Sequence, residues 1–208
     1  MVIRLRAAGI IAGPDHFVIG DGYGNPDNHC SLFIIDTKLY KSLDLLQILL
    51  DRLWEQIKGL NFNYVIAPNE QSLPLAEMLS GLAEKHKGGQ VEAVLFDPNN
   101  LPPEDSTILL HDDIVNKGRQ AGDVLKILKK ANRRLVAISS IFTRIDGGEL
   151  FGVPVFSAID RQLACYPPQN CPLCKQGLAI NTRYGKGKDY LKNRSLDNTE
   201  QEFEQSPV

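Results

Sequence analysis

The stretch TILLHDDIVNKGRQAGDVLKIL, residues 107–128, decides how this chain folds. Its apolar run Ile108–Leu110 is short and continuous, which is typical of a strand buried on both faces. Asp112 and Asp113 follow this run, and a short loop with one glycine comes next. Apolar residues then recur at helical spacing, at Ala121, Val124, Leu125 and Leu128. The stretch therefore predicts a buried strand with an acidic end and a loop that leads into a helix.

Strand-like and helix-like segments alternate along the rest of the chain. Apolar runs predict further strands at residues 31–36, 63–67, 91–96, 135–143 and 153–159. Apolar residues at three- and four-residue spacing predict helices over residues 41–60 and 73–86. Gly, Asn, Asp and Pro mark residues 97–106 as a loop, and also 21–29, into which the segment 16–19 leads. This alternation predicts an α/β fold with a Rossmann-like parallel sheet and helices on both faces.

Composition limits the class of protein. The formal net charge of −2 gives no general attraction to nucleic acid or to an anionic membrane. No segment approaches the roughly 20 apolar residues that span a bilayer, and the first residues lack the apolar run of a signal peptide. Four cysteines in 208 residues do not make a disulfide scaffold. We therefore expect a cytoplasmic protein with reduced thiols.

The acidic strand end and the loop after it predict a sugar-phosphate site. In an open parallel sheet, ligands bind outside the carboxyl ends of the strands, where Asp112 and Asp113 are expected. Backbone N–H groups at the start of a helix suit a phosphate, and carboxylates suit ribose hydroxyls or Mg²⁺.

This stretch resembles the phosphoribosyl-pyrophosphate (PRPP) signature of the type I phosphoribosyltransferases, which it matches at Asp112, Asp113, Ile114, Val115 and Gly118. Four other segments resemble orotate phosphoribosyltransferases in the same order along the chain. They are HFVIGDGYG (16–24), FNYVIAPNEQSLPLAEML (62–79), IFTRIDGGELFGVPVFSAID (141–160) and YPPQNCPLCKQGLAINTRYGKGKDY (166–190). The resemblance covers about residues 5–190 and implies the type I phosphoribosyltransferase fold.

The resemblance also implies a function, which is transfer of the phosphoribosyl group of PRPP to a nucleobase such as orotate, with Mg²⁺ and release of pyrophosphate. It implies that Asp112 and Asp113 hold the ribose and the metal, and that Arg144 pairs with the carboxylate of orotate. The 5′-phosphate would lie at Asn116, Lys117, Gly118, Arg119 and Gln120, and the pyrophosphate at Asn69, Glu70, Gln71 and Ser72. A homodimer and a place in pyrimidine nucleotide metabolism are expected on the same basis.

Three departures from the family pattern support an alternative hypothesis. The pyrophosphate loop lacks glycines and carries the negative charge of Glu70. The phosphate loop carries larger side chains than the family's Thr and Gly. Residues 88–110 contain no Lys, Arg or His, although the family has a basic lid in the corresponding connection. The alternative is a catalytically inactive, regulatory protein of the same fold that binds PRPP or a nucleotide.

The C-terminal part differs in composition from the rest. We predict a phosphoribosyltransferase-like domain over residues 1–165, a basic extension packed on it over 166–194, and a disordered acidic tail over 195–208. Within the extension, Cys171-Pro-Leu-Cys174 supplies half of a Zn²⁺ site, which Cys165, Cys30 or His29 would have to complete. The other interpretation is that these residues are reduced thiols that only pack in the interior.

Overall fold

The computed structural model of the chain describes residues 1–20, 26–145, 148–159 and 165–194. The chain divides into two compact units. The sheet unit consists of residues 39–162, and the terminal unit joins residues 1–38 to the C-terminal residues from 163 onward. The domain boundaries predicted above remain a prediction. The predicted acidic tail, 195–208, lies outside the described residues, as do parts of the matched segments (residues 21–24, 146–147 and 160).

The N-terminal part of the terminal unit begins with α1 (Val2–Ala7), β1 (Ile11–Ala12), β2 (Phe17–Gly20), β3 (Pro26–Cys30) and β4 (Phe33–Ile34). A short helix, α2 (Asp36–Tyr40), spans the division between the units. The sheet unit continues with α3 (Leu43–Ile57), β5 (Tyr64–Ala67), α4 (Leu73–Lys87), β6 (Glu92–Leu95), β7 (Thr107–Val115), α5 (Arg119–Lys130), β8 (Arg134–Thr143), β9 (Glu149–Leu150) and β10 (Val153–Ile159). The C-terminal part contributes β11 (Cys165–Tyr166), a 3-10 turn (Pro168–Asn170), α6 (Pro172–Lys175) and a helix over 187–194.

A mostly parallel sheet forms the centre of the sheet unit, as predicted. Across the described residues its strand order is β6-β5-β7-β8-β10-β9, and only the short β9 runs antiparallel to its neighbour. The helix α4 packs on β5, β6 and β7, while α3 packs on β8 and β10. The buried face of α3 repeats at helical spacing, with Leu46, Leu49, Leu50, Leu53, Trp54 and Ile57. The predicted α/β class is therefore confirmed.

Strand β7 lies inside this sheet, between β5 and β8. Its apolar residues Ile108, Leu109 and Leu110 are fully buried, as the continuous apolar run predicts. The strand is longer than that run, however, because its ladder with β8 continues to Val115. Asp112 and Asp113 therefore lie within the strand near its end, before the loop.

The terminal unit contains a strand that the sequence did not predict. Residues 26–29 belong to the segment that we predicted as a loop, but together with Cys30 they form β3, which pairs antiparallel with both β2 and β11. Backbone pairing on both sides overrides the weak strand preference of Pro, Asp and Asn in this segment. The strand predicted over 31–36 is correspondingly reduced to the two residues of β4.

No helix in the described part of the chain is long and apolar enough to cross a membrane.

Gly118 makes the turn from β7 into α5 possible. It caps α5 with a left-handed backbone, φ +70°, which residues with a Cβ rarely adopt. A Cβ at this position would also overlap Cδ2 of Leu150. Both conditions favour glycine at the start of α5.

We predict that Gly118→Ala lowers the free energy of unfolding by more than Gly88→Ala. Gly88 is a matched control because it has φ +71° at the end of α4 and open space around its Cβ position. Each variant loses about 1–2 kcal/mol from the left-handed backbone, and Gly118→Ala loses about 1–3 kcal/mol more from the clash. Urea unfolding measures both losses, and Leu150→Ala in the Gly118→Ala background should restore the additional one. Equal losses in the two single variants would contradict the role of Leu150.

Candidate functional site

Three of the segments predicted to bind substrate follow neighbouring parallel strands. Residues 69–72 follow β5, residues 116–120 follow β7, and Arg144 follows β8. Because β5 and β8 both pair in parallel with β7, the carboxyl ends of all three strands lie at the same edge of the sheet. The structure therefore brings these segments together with Asp112 and Asp113.

The two aspartates are nearly enclosed. Asp112 and Asp113 expose 7% and 9% of their surface. The carboxylate of Asp112 accepts a hydrogen bond from the backbone N–H of Asp113 at 3.0 Å, and that of Asp113 accepts one from Ile114 at 2.7 Å. Burial raises the pKa of Asp112, and the charge of Asp113 raises it further. The pair thus places several carboxylate oxygens side by side, and a bound cation or hydrogen-bond donors would stabilise their ionised form.

Asn69 links the first two loops at this edge. Its Nδ2 donates to Oε1 of Gln120 at 3.2 Å, which joins the predicted pyrophosphate loop to the predicted phosphate loop. Its Oδ1 accepts from the backbone N–H of Ser72 at 3.0 Å. A hydrogen bond from its side chain to Asp112 opposes the rise in the pKa of that carboxyl group. Asn69 therefore holds the loops and the acids in one hydrogen-bonded network, a role that the sequence did not indicate.

In the rest of the loop after β5, some groups form hydrogen bonds that hold the loop, and some side chains are exposed to solvent. Ser72 is fully buried, and its hydroxyl donates to the carbonyl of Asn69 at 3.1 Å. The carbonyl of Gln71 accepts from the hydroxyl of Tyr40 at 2.5 Å. The side chains of Glu70 and Gln71 are exposed. The loop is thus held by side-chain hydrogen bonds and presents a carboxylate to solvent.

The loop after β7 presents positive charge. Lys117 and Arg119 are exposed, whereas Asn116 and Gln120 are half-buried. The Oδ1 atom of Asn116 is buried and has no hydrogen-bond partner among the described residues. Two cations at the start of α5 stand where the helix dipole also favours an anion.

Arg144 lies directly after β8. The backbone N–H of Arg144 donates to the carbonyl of Val115 at 2.9 Å, and its side chain is half-buried.

The connection after β6, residues 96–106, is fully described by the structure and forms no helix or strand. Nε of Arg133 holds it through the carbonyl of Pro102 at 2.6 Å. Because residues 88–110 carry no Lys, Arg or His, this connection supplies no cation of its own.

The CPLC turn belongs to the terminal unit, where four metal-ligand side chains converge. One donor atom from each of His16, His29, Cys171 and Cys174 lies within 4.8 Å of the others. The sequence pointed to His29 but missed His16, because nothing in the sequence shows that β2 and β3 pair next to the turn. The two other predicted candidates, Cys30 and Cys165, pack instead in a small apolar cluster with Phe17 and Ile19.

The surroundings of His29 lower the pKa of its imidazole. Burial lowers the pKa of His29 to about 4, with further contributions from His16 and Arg194. The imidazole of His29 is therefore neutral at pH 7.

The raised pKa of Asp112 leads to a prediction for stability in the absence of ligand. Because the folded-state pKa lies above the ordinary value of 3.8, the folded chain binds more protons than the unfolded chain above pH 3.8. The free energy of unfolding should therefore fall as pH rises from 3.8 through the folded-state pKa of about 8, until Asp112 is fully ionised. Asp112→Asn, which mimics the protonated side chain, should remove this fall.

Urea unfolding of both proteins at a series of pH values measures the difference. The contribution of the buried His111, whose pKa is lowered to about 3 by burial, cancels because both proteins contain it. The exposed Asp123, which pairs with Lys126 at 2.9 Å, provides the control variant Asp123→Asn. Parallel pH profiles for wild type and Asp112→Asn would show that the pKa of Asp112 is not raised.

Sequence relatives of this chain are orotate phosphoribosyltransferases. The chain is 34% identical over 71 residues to the enzyme of Heliobacterium modesticaldum, covering 34% of this chain and 37% of the relative. It is 30% identical over 130 residues to that of Thermotoga petrophila, covering 62% and 64%. In both cases the chain spans less than two thirds of the relative's length. The match to the Thermotoga maritima enzyme is longer, at 26% identity over 186 residues, and covers 83% and 91%. No family model matches the chain.

Solved structures support the same assignment of fold. The structure of orotate phosphoribosyltransferase from Aeropyrum pernix superposes with a TM-score of 0.58 at 20% identity, covering 77% of this chain and 93% of that one. The corresponding protein from Francisella tularensis gives 0.57 at 14% identity, covering 76% and 84%. At these identities the likeness shows the fold. The chain therefore has the fold of the type I phosphoribosyltransferases, and its sequence is similar to that of orotate phosphoribosyltransferases.

Proposed function

We propose that this protein transfers the phosphoribosyl group of PRPP to a nucleobase, with orotate as the first candidate, and releases pyrophosphate. A nitrogen of the base bonds to the anomeric carbon of the ribose as the bond from that carbon to pyrophosphate breaks. The observation that carries the proposal is the position of Asp112 and Asp113, between the loop after β5 and Arg144 at one edge of a parallel sheet. The similarity to orotate phosphoribosyltransferases along most of the chain supports it.

Asp112 and Asp113 would hold the ribose hydroxyls and Mg²⁺. The fit is chemical, because both groups favour oxygen ligands and two nearly buried carboxylates lie side by side here. Bound Mg²⁺ would neutralise part of the charge that develops on the departing pyrophosphate. The aspartates themselves would orient the ribose and exclude water from one side of the reacting carbon.

The loop of residues 116–120 would bind the 5′-phosphate. Gly118 allows the turn that points the first N–H groups of α5 toward the loop, and the helix dipole adds to their attraction. Lys117 and Arg119 add side-chain charge, which replaces some of the backbone contacts that small residues give in the family. We expect phosphate affinity at this loop to depend strongly on ionic strength, since both cations are exposed.

The loop of residues 69–72 would face the pyrophosphate, with Asn69 holding it against the phosphate loop. The carboxylate of Glu70 repels an anion, so we propose that pyrophosphate approaches this loop only together with Mg²⁺. The connection after β6 adds no cation to offset the charge of Glu70. A high KM for PRPP is the expected consequence.

Arg144 would recognise the acceptor. A guanidinium group pairs with a carboxylate through two parallel hydrogen bonds, and orotate carries such a group whereas uracil does not. The backbone bond from Arg144 to Val115 holds this residue beside the end of β7.

We predict that the protein with PRPP and Mg²⁺ converts orotate to orotidine monophosphate, as measured by chromatography of the nucleotide and release of pyrophosphate. Asp113→Asn should lower kcat/KM by about 100-fold or more, because a carboxylate near the reacting centre is lost. Asp123→Asn, on the exposed face of α5, should leave the rate unchanged.

A panel of other bases tests the acceptor, and calorimetry with PRPP and orotidine monophosphate tests binding. Binding without turnover of any base would overturn the proposal and support the inactive, regulatory protein. If the protein neither bound these ligands nor turned over any base, both hypotheses would be overturned.

Arg144→Ala should raise the KM for orotate without changing that for PRPP. Loss of a charged hydrogen-bonded pair costs about 1.5–3 kcal/mol, or roughly a 10- to 150-fold rise in KM. Arg134→Ala is the matched control, because Arg134 is exposed at the opposite end of the same strand. An unchanged ratio of orotate to uracil turnover in Arg144→Ala would show that Arg144 does not read the carboxylate.

We also propose a homodimer and a role in pyrimidine nucleotide metabolism in the cytoplasm, on the basis of the family resemblance alone. Light scattering of the purified protein tests the oligomeric state.

A further inference from the structure

We propose that His16, His29, Cys171 and Cys174 form a structural Zn²⁺ site that cross-links the two ends of the chain within the terminal unit. The proposal does not depend on the phosphoribosyltransferase activity proposed above. It rests on the convergence of the donor atoms, their enclosure and the hydrogen bonding of His16.

The donor atoms converge from distant parts of the sequence. Nε2 of His16 lies 2.9 Å from Nδ1 of His29, 3.7 Å from Sγ of Cys171 and 3.6 Å from Sγ of Cys174. Nδ1 of His29 lies 3.2 Å from Sγ of Cys174. Two imidazole nitrogens and two sulfurs are the ligands that structural zinc sites use.

These separations are close to those of a tetrahedral site. Bonds of about 2.0 Å from zinc to nitrogen and about 2.3 Å to sulfur place a nitrogen and a sulfur about 3.5 Å apart at tetrahedral angles. Two nitrogens are about 3.3 Å apart in the same geometry. The two nitrogens of His16 and His29 therefore have to move apart by roughly 0.4 Å, and Nδ1 of His29 and Sγ of Cys174 by roughly 0.3 Å. The separations between Nε2 of His16 and the two sulfurs are within about 0.2 Å of the tetrahedral value.

The protonation of His16 favours a metal over a purely hydrogen-bonded cluster. Nδ1 of His16 lies 2.7 Å from the carbonyl oxygen of Leu178, which accepts a hydrogen bond and therefore keeps the proton on Nδ1. In the neutral ring, Nε2 then carries one lone pair directed toward three other donor groups. One lone pair accepts one good hydrogen bond, whereas a cation among the four atoms satisfies all of them.

The turn that carries the cysteines is held in position for this arrangement. The N–H of Lys175 donates to the carbonyl of Cys171 at 3.2 Å, and that of Gly177 donates to Cys174 at 3.0 Å. Gly177 has φ +69° and turns the chain so that Leu178 reaches His16. The same short segment thus supplies two ligands and the hydrogen-bond acceptor that orients a third.

Enclosure points to a structural role. His16, His29 and Cys171 are 1%, 0% and 0% exposed, and Cys174 is half-buried. Four protein ligands complete the preferred coordination of zinc and leave no position for a substrate. The ion would tie β2 and β3 to the CPLC turn, which lies about 150 residues away along the chain.

The experiment measures the metal content of protein that is produced without a polyhistidine tag in zinc-supplemented medium and kept reduced. We expect about one zinc per chain by elemental analysis, with two sulfur and two nitrogen neighbours in X-ray absorption at the zinc edge. The variant with both Cys171→Ser and Cys174→Ser should retain less than about a tenth of the metal. Cys165→Ser is the matched control, because Cys165 is a nearby thiol outside the four-residue cluster, and it should retain all of the metal.

Wild-type protein provides a second measurement that does not require the variants to fold. After removal of metal under reducing conditions, Co²⁺ should bind with the absorption bands of a tetrahedral site that has two thiolates, and Zn²⁺ should displace it. Thermal unfolding of wild type should shift to lower temperature after chelation. Wild-type protein that contains no zinc and takes up neither ion would overturn the proposal. So would metal that is retained in the double serine variant.

Discussion

The parallel pairing of β7 with β5 on one side and β8 on the other is the constraint on which the candidate active site depends. The ladders join Ile66 to Leu110 and Val115 to Thr143, so the chain leaves all three strands at the same edge. Three loops separated by tens of residues in sequence are neighbours there for this reason alone. The fully buried apolar residues of β7 hold this pairing, because shifting them would bring Asp112 and Asp113 into the core.

At that edge polar side chains hold the loops in place. Asn69 forms hydrogen bonds with Gln120, Ser72 and Asp112, which link the loop after β5 to the loop after β7. Glycine is favoured at position 118, because the backbone there is left-handed and a Cβ would overlap the side chain of Leu150. Side-chain hydrogen bonds thus hold these loops, and the exposed carboxylate of Glu70 adds negative charge to the loop after β5.

The terminal unit has a smaller sheet than the sheet unit. Its sheet has three strands, β2, β3 and β11, and a small apolar cluster lies around Phe17 and Cys30. A metal ion bound by distant parts of the chain would stabilise such a unit, because the site does not exist in the unfolded chain. Two histidines and two cysteines converge in this unit and provide the donor atoms for such an ion.

The sequence by itself determined the α/β class, most elements of the sheet unit and the two aspartates, because apolar periodicity and the order of the family-like segments are local signals. It did not reveal β3, whose strand conformation comes from pairing on both sides rather than from its own residues. Nor did it reveal the network around Asn69, or His16 as the fourth member of the His/Cys cluster. These features join residues from 3 to 158 positions apart. Only the tertiary structure decides such distances, since they depend on which strands pair and not on spacing along the chain.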